Sequence, residues 1–591
     1  MYKMDKGLMA VTLGQEKADL AVVNGRVVNV YSKEIYPGGV AVKGDRIAAV
    51  GDVSHCIGPE TKVIDAQNNY LLPGFIDGHI HPESTSLSIR QFAEIMLVHG
   101  TTCVMADMHE VGVVGGLEAI EAVLDEAKDT PLRIYFVVPS HVPFSPGLET
   151  SGGSFNAEII AKALERPDAV GLSEIVGPYV LQQHQDLIQS MELALAQGKS
   201  LQGHLPEFKG SAMQYCMAAG IWTDHESLST EDALERVRLG CHVMMREGSA
   251  ARNLVECLKI ITEHQVDPTM CSIIADDLHT IDAVDRGHLD DALKTALAQG
   301  IDFVTAVQMV SLNAARAFGL DREVGSLTPG RRADINIVSG PEDFNILSVI
   351  AGGKLVVEAG NLLERLPVAE HNPILLNTIK LKKPVEPQDL AITVDPKAKK
   401  ANVKLMRTLD WIPITFGQEA QLAVADGVIQ ADLDQDILYI AQVERHGKNG
   451  NIGKAFMGGF NMKAGAIAST VGHDNHNIIV LGTNHEDMAL AVNRLAEIGG
   501  GQLAVKDGQV LYEIAYPVLG LLSDLDAWAL AEEKKRLNAV IQRELESSIG
   551  FPFMFLSFIS LAALPEYAIT DHGFIDVAKQ AVIDPVLSLE Y

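Results

Sequence analysis

Cysteine, aromatic residues and positive charge are all scarce in this chain. Its six cysteines (Cys56, Cys103, Cys216, Cys241, Cys257 and Cys271) form no C-x-x-C pair and most sit inside apolar runs. That argues against a disulfide framework or a thiolate zinc site, and for buried free thiols in a reducing, cytoplasmic setting. Lys and Arg number 47 against 77 Asp and Glu, a formal charge of −30. Such a balance argues against a nucleic-acid polymer or an anionic membrane surface as partner and is compatible with a small neutral or cationic substrate. No long apolar region follows a basic one near the start, so no signal peptide is expected. The most apolar late run, 551–564, is shorter than a membrane span and contains Pro552, and reads as core.

What is present is glycine-rich and apolar: 51 glycines and 47% hydrophobic residues across 591 positions, enough for several cores. Residues 19–71 hold short β-type runs separated by Gly-containing turns, and the same idiom returns in GSLTPGRRADINIVSG and FNILSVIAGGKLVVEAG. One small β-sheet domain, 1–72 plus 320–383, is therefore expected to take strands from both sides of an inserted domain. After the Lys/Pro-rich linker IKLKKPVEPQD, residues 384–591 mix β runs with amphipathic helices and read as a C-terminal α+β domain.

The inserted region, 73–319, alternates strand-like and helical patterns. Strand ends fall at His79, Asp107, Ser140, Glu174, His204, His225, Glu247 and Asp276. Eight βα units of this length predict a (β/α)8 barrel, in which catalytic groups sit where strands give way to loops.

The metal-binding chemistry starts at Leu71–His81, LLPGFIDGHIH. Residues two apart on a strand share a face, so His79 and His81 reach one ion together. Glu174, His204, His225 and Asp276 close four further strands. A lone histidine is more often a satisfied hydrogen-bonding residue than a ligand. Six such side chains at strand ends predict a metal site, with nitrogen and oxygen donors that suit zinc, iron or manganese. Glu174 is the central candidate to bridge two ions, which together acidify a shared water. Asp276 is the acid–base group placed to reach that water.

Glu83, just after the histidine pair, is a second acid–base candidate, or a helix-entry carboxylate. His109 and Glu110 end the second strand and face the pocket mouth. Arg246 closes the seventh strand toward the pocket, and Ser249–Asn253 are placed to cap the next helix. His473, Asp474, Asn475 and His476 form a polar cluster too costly to bury idly, expected to fold over the barrel mouth. Glu444–His446 reads as the exposed end of a strand.

PGFIDGHIHPES, SEI, GHLPE, DHES, ADD and GSLTPGRRADINIVSG resemble the amidohydrolase superfamily. ADMHE, MMREGSAARNL, MGGF and VGHDNHNIIVLGT resemble, within it, the bacterial adenine deaminase family. The resemblance implies hydrolysis of adenine to hypoxanthine and ammonia, with a metal-bridging hydroxide attacking C6. It implies two divalent ions, manganese or iron: His79, His81 and Asp276 at the first, His204 and His225 at the second, Glu174 between them. Asp276, Glu83 and His109 are then the catalytic candidates, and Glu110, Arg246, His473 and Asp474 the substrate-binding ones. The implied partners are a small purine and further copies of the chain in a homo-oligomer. The sequence departs from the family pattern at Pro82, Met108, Glu207 and Asn475, and none of these removes a ligand. Another aminopurine or a cyclic amide as substrate, or a purine-binding relative without catalysis, are the alternative readings; Glu174 stands where hydantoinase-type relatives offer a carboxylatable lysine.

Overall fold

A computed structural model describes residues 4–409, 412–563 and 566–591; Leu564, the last residue of the apolar run read as core, lies outside them. Eight parallel strands form the barrel: Phe75–His81, Thr101–Asp107, Arg133–Pro139, Ala169–Val176, Ser200–His204, Thr223–Asp224, His242–Arg246, and an eighth split into Cys271–Ile274 and Asp276–Asp277. The barrel closes where Asp276 and Asp277 pair in parallel with Ile80 and His81. The α/β class and the eightfold alternation expected from the sequence are both present.

The break in the eighth strand has a local cause. Asp77, buried inside the first strand, accepts the backbone N–H of Ala275 at 3.1 Å and that of His79 at 3.1 Å. It also contacts His288 Nε2 at 2.8 Å. Ala275 is thereby drawn out of the ladder, and Asp276 follows with φ 62°.

Gly74 lets the chain pass from the small sheet into the barrel. A Cβ there would lie 2.1 Å from Thr102 Oγ1. Immediately before it, Tyr70–Pro73 pairs antiparallel with Ile335–Val338 from beyond the barrel, so strands from both flanks share one nine-stranded sheet. The C-terminal region builds a ten-stranded sheet. Helix His485–Ile498 covers it, capped by Asn484 and ended by Gly499 in a left-handed conformation (φ 82°). Helix Ala527–Glu544, capped by Asp526, packs against Thr280–Asp285 after the eighth barrel strand.

One apolar core runs through this junction, from Leu87 and Phe92 on the barrel to Tyr516, Leu530 and Leu556. Burying such side chains contributes roughly 1.5–3 kcal/mol each, which fixes the C-terminal region over the barrel mouth. Glu444 and Arg445, expected at an exposed strand end, are fully buried in that junction. Glu444 accepts N–H groups of His446, Lys448, Asn449 and Gly450. Arg445 donates to the carbonyls of His476 and Leu519. Glu444 is thus satisfied by the turn that follows it, and Arg445 by loops 31 and 74 positions away, which local patterning does not reveal. All six cysteines are buried and free, and among the described residues no helix is long and apolar enough to cross a membrane.

Candidate metal centre and active site

The six expected ligands converge at the C-terminal mouth of the barrel. His79 Nε2 lies 3.4 Å from Glu174 Oε1 and 3.5 Å from Asp276 Oδ1. His81 Nε2 lies 3.8 and 3.5 Å from the same two oxygens. Across Glu174, its Oε2 is 2.8 Å from His204 Nδ1 and its Oε1 is 3.5 Å from His225 Nε2. Ligand atoms fall into two compact groups, one of His79, His81, Asp107 and Glu174, the other of Glu174, His204 and His225, with Glu174 in both. A further group joins His79, His225 and Asp276.

These spacings test the fit to a metal. His79 Nε2 is buried and makes no hydrogen bond among the described residues. Separations near 3.5 Å are long for a hydrogen bond. They match two ligands on one ion, which at bonds of 2.0–2.2 Å stand roughly 3–3.5 Å apart. The donor set fits, and the residues form a divalent-metal centre.

Local backbone geometry aims the carboxylates. Glu174 and Asp276 both hold left-handed φ angles, 53° and 62°, a conformation uncommon outside glycine and concentrated at functional sites. Ser140 Oγ donates to the Glu174 carbonyl at 2.8 Å, anchoring that turn. Burial pushes the Glu174 carboxyl up, but His204, His79 and His81 override it and hold it well below its ordinary value. Beside His204 and His225, Asp224 accepts the N–H groups of Leu205 and Glu226. It is itself gripped by Arg236 at 2.5 Å.

Arg246 is committed to two acids, Glu226 Oε1 at 2.6 Å and Asp276 Oδ2 at 3.2 Å. Its guanidinium therefore orients Asp276. Ser249 does not cap helix Leu254–Thr262 as expected. Its hydroxyl accepts the N–H of His279 at 2.8 Å, while Asn253 takes the cap position and binds the Arg246 N–H. Gly248 explains the run REGS, because a Cβ there would stand 2.1 Å from the Ala275 carbonyl oxygen. The seventh-strand loop thus packs on the broken eighth strand.

Glu83 belongs to the cavity wall. One oxygen accepts the Val111 N–H at 3.1 Å, and Oε2 is buried without a partner among the described residues. Burial, then the Glu110 carboxylate, push its carboxyl up to about 8. His109 is buried, edge-on to Phe144 at 5.7 Å, with neither ring nitrogen hydrogen-bonded among the described residues.

The C-terminal cluster roofs the site. His473 Nδ1 contacts Glu110 Oε1 at 2.7 Å and Asp474 Oδ1 at 3.4 Å. His476 Nδ1 accepts the Gly472 N–H, which leaves Nε2 to donate to the other oxygen of Glu110. Glu83, Glu110 and His473 line a cavity together with His279, Lys534 and Phe553.

The departures are accommodated. Glu207 adopts φ 62°, a left-handed conformation that favours glycine. Asn475 Oδ1 accepts from Gln442 Nε2 at 2.8 Å, Pro82 opens a one-turn helix, Pro82–Thr85, and Met108 is core.

Three site residues escaped the sequence reading. Glu226 directly follows His225 in DHES, and Asp107 ends the second strand, so both had a signal. Lys534 had a fainter one, a lysine on the apolar stripe of its helix.

Comparisons agree with this architecture. Residues 70–356 match the amidohydrolase family model and residues 413–581 the adenine deaminase C-terminal domain model. An adenine deaminase of Moorella thermoacetica is 39% identical over 590 residues, covering 99% of this chain and 98% of its own. Adenine deaminase 1 of Carboxydothermus hydrogenoformans is 42% identical, covering 96% of each. With likeness of this degree over both halves, the chain belongs to the adenine deaminase family of the amidohydrolases.

Proposed function

We propose that the protein hydrolyses adenine to hypoxanthine and ammonia at a binuclear centre of manganese or iron. The observation that supports this best is the pair of ligand groups sharing Glu174 beneath a roof supplied by the C-terminal region. In this reading His79, His81 and Asp276 hold one ion, His204 and His225 the other, and Glu174 both. The ions supply Lewis acidity and a water acidified toward neutral pH.

The chain's own residues do the rest. Asp276, turned inward by its left-handed backbone and braced by Arg246, takes a proton at Oδ1 and returns it to the departing amino group. Glu83, through its unpaired Oε2, delivers a proton to N1 of the purine. Glu110, His473 and Asp474 hold the ring and close the site to bulk water, and His109 braces the mouth. The buried thiols support a cytoplasmic setting, in purine salvage, and symmetric association of copies is the expected assembly.

The test is to reconstitute the protein with Mn(II), Fe(II) or Zn(II) and to follow ammonia and hypoxanthine released from adenine. Full metal occupancy without ammonia from adenine would overturn the proposal. Turnover of another aminopurine or a cyclic amide instead would redirect it.

A further inference from the structure

The C-terminal region brings to the cavity a cation, Lys534, that no carboxylate of the described residues pairs with. Lys534 lies on helix Ala527–Glu544, four residues after Leu530 and three before Leu537, both buried. That spacing sets it on the helix's inward stripe. Its Nζ donates to Ser86 Oγ at 3.0 Å and stands 5.9 Å from the centre of the Tyr516 ring. The neighbouring Lys535 pairs with Asp285; Lys534 makes no ion pair among the described residues. Burial alone draws its ammonium down to about 7. A half-buried ammonium with three donors and one protein acceptor is costly unless a ligand takes the remainder.

The wall it shares identifies that ligand's edge. Ser86 directly follows the turn Pro82–Thr85, and its N–H donates to the Glu83 carbonyl at 2.7 Å. Glu83 and the hydroxyl that holds Lys534 therefore stand on one short segment of chain, lining one cavity. Adenine carries N1, C2 and N3 in sequence along one edge, with N7 on the other side beside the amino group. With N1 at Glu83, the next acceptor along the same wall is N3.

Building on the adenine deaminase reading, we infer that Lys534 is a substrate-binding residue that donates from Nζ to N3 of the purine. The chemistry gives such a contact more weight in the transition state than in the ground state. When oxygen adds at C6, the C6–N1 π pair moves onto N1. The amidine N1–C2–N3 then shares that charge with N3 until N1 is protonated. An ammonium at N3 meets charge that is absent from bound adenine.

The experiment compares wild type, Lys534→Met and Lys534→Arg, all manganese-loaded, on adenine, 3-deazaadenine and 7-deazaadenine. Lys535→Met serves as a neighbouring control with unaltered rates. Lys534→Met is expected to lower kcat/KM for adenine by about 100-fold, mostly in kcat, at unchanged metal content and melting temperature. Its penalty for replacing N3 by C–H should shrink by a similar factor, while its response to 7-deazaadenine stays that of wild type. Lys534→Arg should recover part of the loss. An undiminished 3-deaza penalty in Lys534→Met, or a wild-type rate on adenine, would overturn the inference and leave the deaminase reading standing. Should the variant fail to fold, wild type alone decides: equal kcat/KM for adenine and 3-deazaadenine would overturn it. Wild type inert towards adenine would overturn both.

Discussion

Replacing Arg236 by Met should destabilise the barrel and loosen one half of the metal centre. Arg236 is 1% exposed and Asp224 is fully buried, with Nε 2.5 Å from Oδ2. Arg236 Nη2 also donates to the Leu205 carbonyl at 2.7 Å. Methionine fills a similar volume, so the cost is chiefly the uncompensated charge. Removing one partner of a buried pair costs roughly 3–5 kcal/mol. Asp224 keeps two backbone donors, the N–H groups of Leu205 and Glu226 at 3.0 and 3.1 Å, which places the loss near the lower bound, about 3 kcal/mol. Those N–H groups flank His204 and His225, so strain at Asp224 passes directly to both imidazoles. Urea unfolding followed by circular dichroism should show the loss, and elemental analysis should show about one metal equivalent fewer. Adding Asp224→Asn removes the stranded charge and should restore more than about 1 kcal/mol. A loss below about 1 kcal/mol with full metal retention, or a double variant worse than the sum of the singles, would refute the reasoning.

Glu83→Gln keeps the Val111 contact but cannot deliver a proton from the free oxygen. It should lower kcat on adenine by about 10²–10⁴-fold with metal content unchanged, read by ammonia release; a loss under threefold would remove Glu83 from the acid role. His225→Asn should bind about one metal ion per chain instead of two, which elemental analysis of the purified protein would show. His371 bridges Asp524 at 2.8 Å and Glu126 at 3.1 Å, and those bonds raise it to about 9. Its stabilisation is therefore fully present below about pH 6.5 and is lost as pH rises through about 9. With the Asp524 side chain 32% exposed, screening leaves about 1 kcal/mol. Melting temperatures should fall over that window in wild type, and His371→Gln should show a shallower fall; parallel curves would count against the bridge.

The sequence by itself determined the alternation of the barrel and which histidines and carboxylates gather at its mouth, because both are local. A strand ends where its apolar run ends, and a residue at that end stands at the mouth whatever the rest of the chain does. His79 and His81 shared a face by the period of a strand, and Glu174, His204, His225 and Asp276 came from counting strand ends. Glu226 was within reach of the same count, one residue past His225. Only tertiary structure decided how these groups are used. Arg246 reads as a pocket residue until Glu226 and Asp276 are seen to claim its guanidinium. Ser249 reads as a helix cap until the broken eighth strand brings His279 to its hydroxyl. Glu444 and Arg445 read as a surface strand end until loops far away in sequence bury them. The roof of Glu110, His473 and His476 joins residues more than 360 positions apart. Pairings at such separations are set by the packing of one apolar core between barrel and C-terminal sheet, and no periodicity in the chain encodes which polar groups that packing will bring face to face.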